Sequence, residues 1–325
     1  MPRYHAQHSP TVGRRAALAL IVATSAAIVS PMVQAADNIV WLVGFPPGGT
    51  ADVLTRTVAQ QLSRLSGQNV VVDNRPGASG AIALQQAAKS SPDGNTLITV
   101  PGPLLHATPV PEVGKELRAV AMLAQGPMVL VAPASAAPAD FAALVKAMRA
   151  APKDWSYGTS GNGTSQHLAG ELMNQMAGTQ AVHVPYRGGG QAITDVVGGQ
   201  VPLAVLGASP VLPHIQSGKL KALAVTSSKR LDQLPQVPTF QEAGLAGYEA
   251  TQWFSVAVPS QTSDARVRQL NAWITAALEA TAVQEVLRTS GNVKGTGSAQ
   301  EVDAFLRKDT ETWKRLAAQA KMQLN

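Results

Sequence analysis

The chain is 325 residues long and carries 26 basic against 20 acidic residues, a formal charge of +6. It has no cysteine, which excludes disulfides, thiolate chemistry and zinc sites built on sulfur. The basic residues are spread along the chain, a pattern that argues against a nucleic-acid partner and suits an acidic small molecule.

Residues 1–35 read as a cleaved export signal. Arg3, Arg14 and Arg15 give a positive start, Ala16 to Val29 is an apolar run, and Val33-Gln34-Ala35 ends in the small-residue pattern that a signal peptidase cuts. The run is short and alanine-rich for a membrane span. Arg14-Arg15 leaves a twin-arginine route open beside the ordinary secretory one. The leader takes three arginines and no acids, so half of the basic excess leaves with it. No second long apolar run follows, and the rest is long enough for two lobes, with 45% hydrophobic residues to build their cores.

Beyond the leader, short β-branched runs alternate with helical patterns, the signature of an α/β protein with largely parallel sheets. Ile39–Val43 reads as a strand, Ala51–Ser66 as a helix and Val70–Asp73 as a strand. Ala81–Ser90 reads as a helix stopped by Ser91-Pro92-Asp93-Gly94, and Thr96–Val100 as the next strand. A second series places strands at Met128–Ala132, Ser156–Gly158, Val182–Val184, Leu203–Leu206 and Ala222–Val225. Its helices are Ala139–Arg149, Ser165–Ala177 and Gln191–Val197. Trp253–Val258 is a further strand, and helices follow over Asp264–Ala280, Ala282–Ser290 and Ala299–Gln323. Those last helices lack strands of their own and are expected to fold back on the first lobe. Lobe 1 is then 36–126 with 253–325, lobe 2 is 127–252, and the connections near 124–127 and 250–253 are hinges.

Three glycine-rich turns each fall between a strand and a helix: Phe45-Pro46-Pro47-Gly48-Gly49-Thr50, Ser160-Gly161-Asn162-Gly163-Thr164-Ser165, and Tyr186-Arg187-Gly188-Gly189-Gly190. Such turns leave backbone N–H groups facing outward at the positive end of a helix, where an anion is stabilised. In the first, Thr50 can cap the helix and Asp52 sits in its first turn; both serve equally well as helix stabilisers or as part of an anion site. In the third, Arg187 reads either as a bidentate carboxylate partner or as a solvated surface residue, and Thr194 and Asp195 follow one turn into the helix.

The second turn invites a test for catalysis. A nucleophile elbow needs Gly-x-Ser-x-Gly, but Gly158-Thr159-Ser160-Gly161 is followed by Asn162. A dinucleotide fingerprint fails because Gln166 stands where Gly or Ala is required, and the Walker pattern lacks its Gly-Lys-Ser/Thr. His167 reads as a structural hydrogen-bonder or as a base. The six histidines show no helical pairing with acids that would hold a metal. A chain that presents three anion cradles and few reactive residues is expected to grip a carboxylate without transforming it. The rival reading is an exported α/β hydrolase using Ser160 or Ser165 with His167.

The ordered series of motifs resembles the substrate-binding receptors of the tripartite tricarboxylate transporters, the Bug receptors. The resemblance rests on Phe45 to Asp52, Val72-Asp73-Asn74-Arg75-Pro76-Gly77-Ala78, Pro92-Asp93-Gly94-Asn95-Thr96-Leu97, Gly161 to Leu168 and His183 to Gly190. Thr194-Asp195, Leu223-Ala224-Val225-Thr226-Ser227, Lys229-Arg230 and Val237-Pro238-Thr239-Phe240 complete it. It implies a periplasmic binding protein of the two-lobed, type II Venus-flytrap form, each lobe a mostly parallel sheet flanked by helices. It further implies a small organic acid in the cleft, a membrane permease as partner or alternatively a sensor, a monomer, and no enzymatic activity, cofactor or metal. Carried over by position, ligand contacts fall on Phe45, Pro47, Gly48, Gly49, Thr50, Asp52, Ser160, Gly161, Asn162, Gly163, Thr164, His167, Tyr186, Arg187, Gly188, Gly189 and Asp195. The chain departs from the family's usual pattern at Pro101-Gly102-Pro103-Leu104-Leu105-His106, at Lys115-Glu116-Leu117-Arg118 and at Gly80-Ala81. The departing segment over residues 101–118 is expected to form one wall of the cleft, and Gly80-Ala81 to alter another.

Overall fold

In the computed structural model, residues 1–5 and 38–319 are described; the leader from residue 6 onward lies outside them. The C-terminal end of the predicted helix Ala299–Gln323 also lies outside them from residue 320, and the fold below is that of residues 38–319. It begins with β1 (Ile39–Val43), α1 (Thr50–Ser66), β2 (Val70–Asn74), α2 (Ala81–Ala88) and β3 (Thr96–Gly102). β4 (Leu117–Pro133), α3 (Phe141–Ala150), β5 (Ser156–Thr159), α4 (Ser165–Ala177), β6 (Val182–Pro185), α5 (Gly189–Val197), β7 (Leu203–Gly207), α6 (Ala208–Gln216) and β8 (Leu220–Val225) follow. β9 (Thr251–Pro259), α7 (Asp264–Leu278), α8 (Thr281–Thr289), β10 (Val293–Lys294) and α9 (Ala299–Gln319) complete it.

The strands run in the order β2-β1-β3-β9-β4-β7-β5-β6, with β8 and β10 also paired to β4. The outer strands are parallel, as the strand–helix alternation predicts: β1 with β2 and β3, and β5 with β6 and β7. The centre is antiparallel, because β9 pairs with both β3 and β4, and β4 pairs with β7 and β8. Two sets of parallel strands are thus joined through two long strands running against their neighbours.

β4 organises the fold. The spacing of its second half predicts a strand over Met128–Ala132, but the strand is 17 residues long and starts at Leu117. It pairs with β9 from Leu117 to Pro127, then changes partners and pairs with β7 from Met128 onward. At the change, the Met128 N–H donates to Thr226 Oγ1 at 2.8 Å, so a side chain supplies the acceptor. Alternate residues of a strand face opposite sides, and β4 accordingly feeds all four hydrophobic clusters. Leu117 and Met122 enter one, Val120 and Leu123 another, Met128 and Leu130 a third, and Val129 and Val131 the fourth. With both faces covered, its sequence is almost continuously apolar and loses the alternation that marks a half-buried strand.

The clusters pair off across the sheet. Trp41, Val58, Leu62, Phe254 and Ile274 pack on one face of the β1 side, and Leu42, Leu84, Ile98 and Trp253 on the other. On the β5 side, Tyr157, Leu168, Phe240 and Tyr248 fill one face and Val196, Leu206 and Val211 the other. α9 divides its apolar face: Val302 and Leu306 pack beside Trp253, whereas Trp313 and Ala317 belong to the Tyr157 cluster. Each fully buried aliphatic side chain of this kind contributes about 1.5–3 kcal/mol.

Candidate functional site

All three glycine-rich turns lie at the ends of strands that run into helices, and they meet at one cleft. About 570 Å³ of space open to solvent is bounded by Phe45, Gly49 and Thr50 from the first turn, Ser160, Thr164 and Ser165 from the second, and Gly189 from the third. Pro101 near the end of β3, with Pro103 and Leu104 just beyond it, forms a wall at the start of the 101–118 segment, whereas Gly80 and Ala81 do not line the cleft. Gly207, Pro210, Gln252 and Phe254 complete the lining together with other side chains, and the lining contains no Asp, Glu, Lys, Arg or His.

The electrostatics come from the backbone. α1, α5 and α6 have Gly49, Gly188 and Gly207 as N-caps, and no side chain caps any of the three. The first N–H groups of a helix have no partner within it, and a glycine cap supplies no oxygen for them. Three helices therefore bring uncapped N-terminal regions to one cleft, each a positive pole worth roughly half a charge. Thr50 opens α1 as its first residue and does not cap it, in contrast to the capping role its position suggests.

The second turn behaves differently from its sequence reading. Its N–H groups are expected to face an anion, but several are taken by its own side chains. Ser160 N–H donates to Gln166 Oε1 (2.8 Å), Gly161 N–H to Thr159 Oγ1 (3.1 Å) and Gly163 N–H to His167 Nδ1 (3.1 Å). Thr164 caps α4, accepting from His167 N–H, and its hydroxyl donates to Gly161 O. What this turn offers the cleft is hydroxyl groups: Ser160 and Ser165, 8% and 6% exposed, both line it.

Behind the turn, His167 and His183 stack with ring centroids 3.8 Å apart, and His183 Nε2 lies 2.7 Å from Thr159 Oγ1. Burial pushes His167 down to about 4; burial, and then the neighbouring His167, push His183 down to about 3. Both rings are neutral at pH 7. His167 is committed to Gly163 and to its stacking partner and shares no hydrogen bond with Ser160 or Ser165, so the serine–histidine pairing a hydrolase needs is not formed.

Other candidates hold the turns and do not line the cleft. Asp52 Oδ2 accepts from Gly48 N–H (3.1 Å), and its Oδ1 accepts from Arg56 Nε and Asn74 Nδ2, both at 2.9 Å. Burial raises its carboxyl, but the bonds from Arg56, Asn74 and Gly48 and the Arg56 charge outweigh that and hold it below its usual range. Asn74 also donates to Phe45 O (2.9 Å), so one ionic cluster ties down the first turn. Burial first, and then Asp195 beside it, push the Tyr186 phenol up to about 12. Arg187 is exposed and has no ion pair among the described residues. Pro47, Gly48, Asp52, Gly161, Asn162, Gly163, His167, Tyr186, Arg187, Gly188 and Asp195 are absent from the cleft lining.

Two of these mark where the sides of the cleft touch. A Cβ on Gly188 would lie 2.8 Å from Pro46 Cδ, so the third turn packs directly on the first. Gly163, at φ +68°, accepts from Leu105 N–H at 2.8 Å, and a Cβ there would fall 1.7 Å from Leu105 O. Gln252 and Gly207 escaped the sequence reading. Neither lies in a glycine-rich turn, and only strand pairing brings them to the cleft.

A larger groove of about 1900 Å³ lies between residues 104–115 and α9. Its charged residues are engaged in ion pairs: Glu112 with Lys115 and Lys314, Lys314 also with Glu311, and Arg307 with Asp303 outside the groove. It offers no uncapped helix end.

The architecture and cleft are those of a periplasmic binding protein. The family model described as "Tripartite tricarboxylate transporter family receptor" matches residues 54–322, and the chain belongs to that family. Protein BugT of Bordetella pertussis (strain Tohama I / ATCC BAA-589 / NCTC 13251) is 34% identical over 308 residues, covering 92% of this chain and 94% of BugT. Among solved structures, R. palustris Rpa4515 with adipate superposes with a TM-score of 0.83 at 32% identity, over 87% of this chain and 97% of that one. MatC from Rhodopseudomonas palustris with bound malate gives 0.80 at 25% identity, over 86% and 98%. The family so described is one of receptors. Among the described residues no helix is long and apolar enough to cross a membrane, and no group of His, Cys, Asp and Glu is placed to hold a metal.

Proposed function

We propose that this protein is a periplasmic receptor that closes two lobes over a small organic acid and delivers it to the permease of a tripartite tricarboxylate transporter. The observation that carries the reading is the cleft lined by three uncapped helix N-termini with no charged side chain among its walls. Such a site stabilises an anion through fixed N–H dipoles in surroundings of low dielectric, where each hydrogen bond is worth more than in water. Adipate and malate, bound by two relatives of the same fold, are both carboxylates.

In this reading residues 1–35 are the export signal, lobe 1 is 36–126 with 253–325, lobe 2 is 127–252, and the receptor acts as a monomer. The partner change of β4 at Pro127 and Met128, and the start of β9 at Thr251, supply the two strands on which the lobes would hinge. Ligand contacts fall on Phe45, Gly49, Thr50, Ser160, Thr164 and Gly189, with the remaining turn residues holding these in place. A thermal-shift screen against mono-, di- and tricarboxylates, amino acids and sugars tests it. A ligand that binds only the native state stabilises it by roughly 2.7 kcal/mol at a hundredfold excess over its dissociation constant. A saturable shift confined to carboxylates is expected. A shift with sugars alone would sink the reading.

A further inference from the structure

The cleft holds a buried side-chain amide that the fold itself leaves unmet, beside a threonine hydroxyl. Gln252, near the start of β9, is 2% exposed and lines the cleft, and its Nε2 has no hydrogen-bond partner among the described residues. Thr50 lines the same cleft from α1 at 9% exposure. The two groups share one spot. A Cβ on Gly207 would lie 2.5 Å from Gln252 Nε2 and 2.7 Å from Thr50 Oγ1, so the missing side chain at the α6 N-cap makes room for both. An amide from β9, a hydroxyl from the first turn of α1 and the uncapped start of α6 therefore converge, although they come from distant parts of the sequence. Phe45, Pro101, Leu104, Leu206 and Phe254 supply apolar wall to the cleft, beside the hydroxyls of the second turn.

We infer that Gln252, assisted by Thr50, is a specificity-determining ligand contact, and that the ligand is a carboxylic acid with an apolar body and no cationic group. A buried amide left unmet is costly, and a ligand oxygen is the group that meets it. The apolar walls accept a hydrocarbon body. The absence of any carboxylate from the lining leaves an ammonium group nothing to pair with, while the three positive helix ends oppose it. The inference rests on the receptor reading above and names its substrate class.

Calorimetric titration of the purified protein with two series of acids tests it. One is succinate, butyrate and 4-aminobutyrate; the other is adipate, hexanoate and 6-aminohexanoate. Within a series the chain has the same number of carbons, and its far end is a carboxylate, a methyl or an ammonium. The ammonium member is expected to bind at least tenfold more weakly than the best member of its series. Gln252→Leu should weaken the best acid at least tenfold while the melting temperature without ligand stays the same or rises, because an unmet buried amide is replaced by an apolar group. Gln252→Glu, which keeps the shape and sets a negative charge against the acid, should bind more weakly still. Affinity within twofold of the parent in Gln252→Leu would overturn the inference. So would ammonium members that bind as well as the other acids, or a fall in melting temperature that tracks the loss of affinity. Failure of both series to bind the parent protein would count instead against the receptor reading beneath it.

Discussion

Replacing Gly163 with alanine should disrupt the contact between the two sides of the cleft. The residue stands at φ +68°, where an L side chain costs about 1–2 kcal/mol. The added Cβ would sit 1.7 Å from Leu105 O, so the 105 and 163 backbones must separate. Separation breaks the 2.8 Å bond from Leu105 N–H to Gly163 O and strains the 3.1 Å bond from Gly163 N–H to His167 Nδ1. Each such bond contributes about 1 kcal/mol net, and the whole perturbation comes to about 3 kcal/mol, or roughly a hundredfold in an equilibrium constant. Melting curves without ligand and titration with the acid found by screening would apportion it. Carried wholly by the ligand-free fold it lowers the melting temperature by roughly 6–12 °C; carried wholly by closure it appears as the hundredfold loss of affinity. Gly189→Ala is the control. Its Cβ would meet only Leu206 Cδ2, at 3.8 Å, so stability should hold. A Gly163→Ala protein that melts and binds like its parent would refute the reasoning.

The histidine pair sets an acid limit. Both folded values, about 4 and about 3, lie below the unfolded value, so the unfolded chain binds more protons on acidification. Their contribution is fully present above about pH 6.5 and is lost as pH falls through the folded values, with a slope of ~1.4 kcal/mol per pH unit for each proton. Denaturant melts between pH 7 and 4 should show it, and His183→Gln should flatten the curve. Asp52→Asn removes the charge that Arg56 pairs with and should cost about 1 kcal/mol, read as a lower urea midpoint. Because the Asp52 carboxyl is held low, its contribution is present above the ordinary carboxylate range and disappears as pH falls below it. Arg187→Ala should leave the melting temperature within ~1 °C, since its side chain is exposed and unpaired among the described residues; a larger fall would reveal a structural partner.

Local chemistry made much of this protein legible in its sequence. The helix predicted over Ser165–Ala177 forms with those bounds, Ile39–Val43 is a strand, and the three glycine-rich turns join strands to helices. Those features depend on periodicity and on residues a few positions apart, which a sequence displays directly. The family motifs were legible for a similar reason, being continuous stretches.

What escaped depends on partners distant in sequence. No helix is predicted over Ala208–Gln216, where α6 forms with Pro213 inside it, a residue that disfavours a helix interior. β4 was read short because covering both of its faces erased the alternation. The turns were visible as glycine patterns, but whether their N–H groups faced a ligand was not. Gln166, Thr159 and His167 claim those of the second turn only because the fold points their side chains inward. Gln252 lies 45 residues from Gly207 and about 200 from Thr50, and strand pairing alone brings the three together. Which segments coil, extend and turn can be read locally, from periodicity and from neighbouring residues. Which polar groups the protein consumes and which it leaves for a ligand emerges only in the folded chain, because hydrogen bonding is settled when distant segments meet.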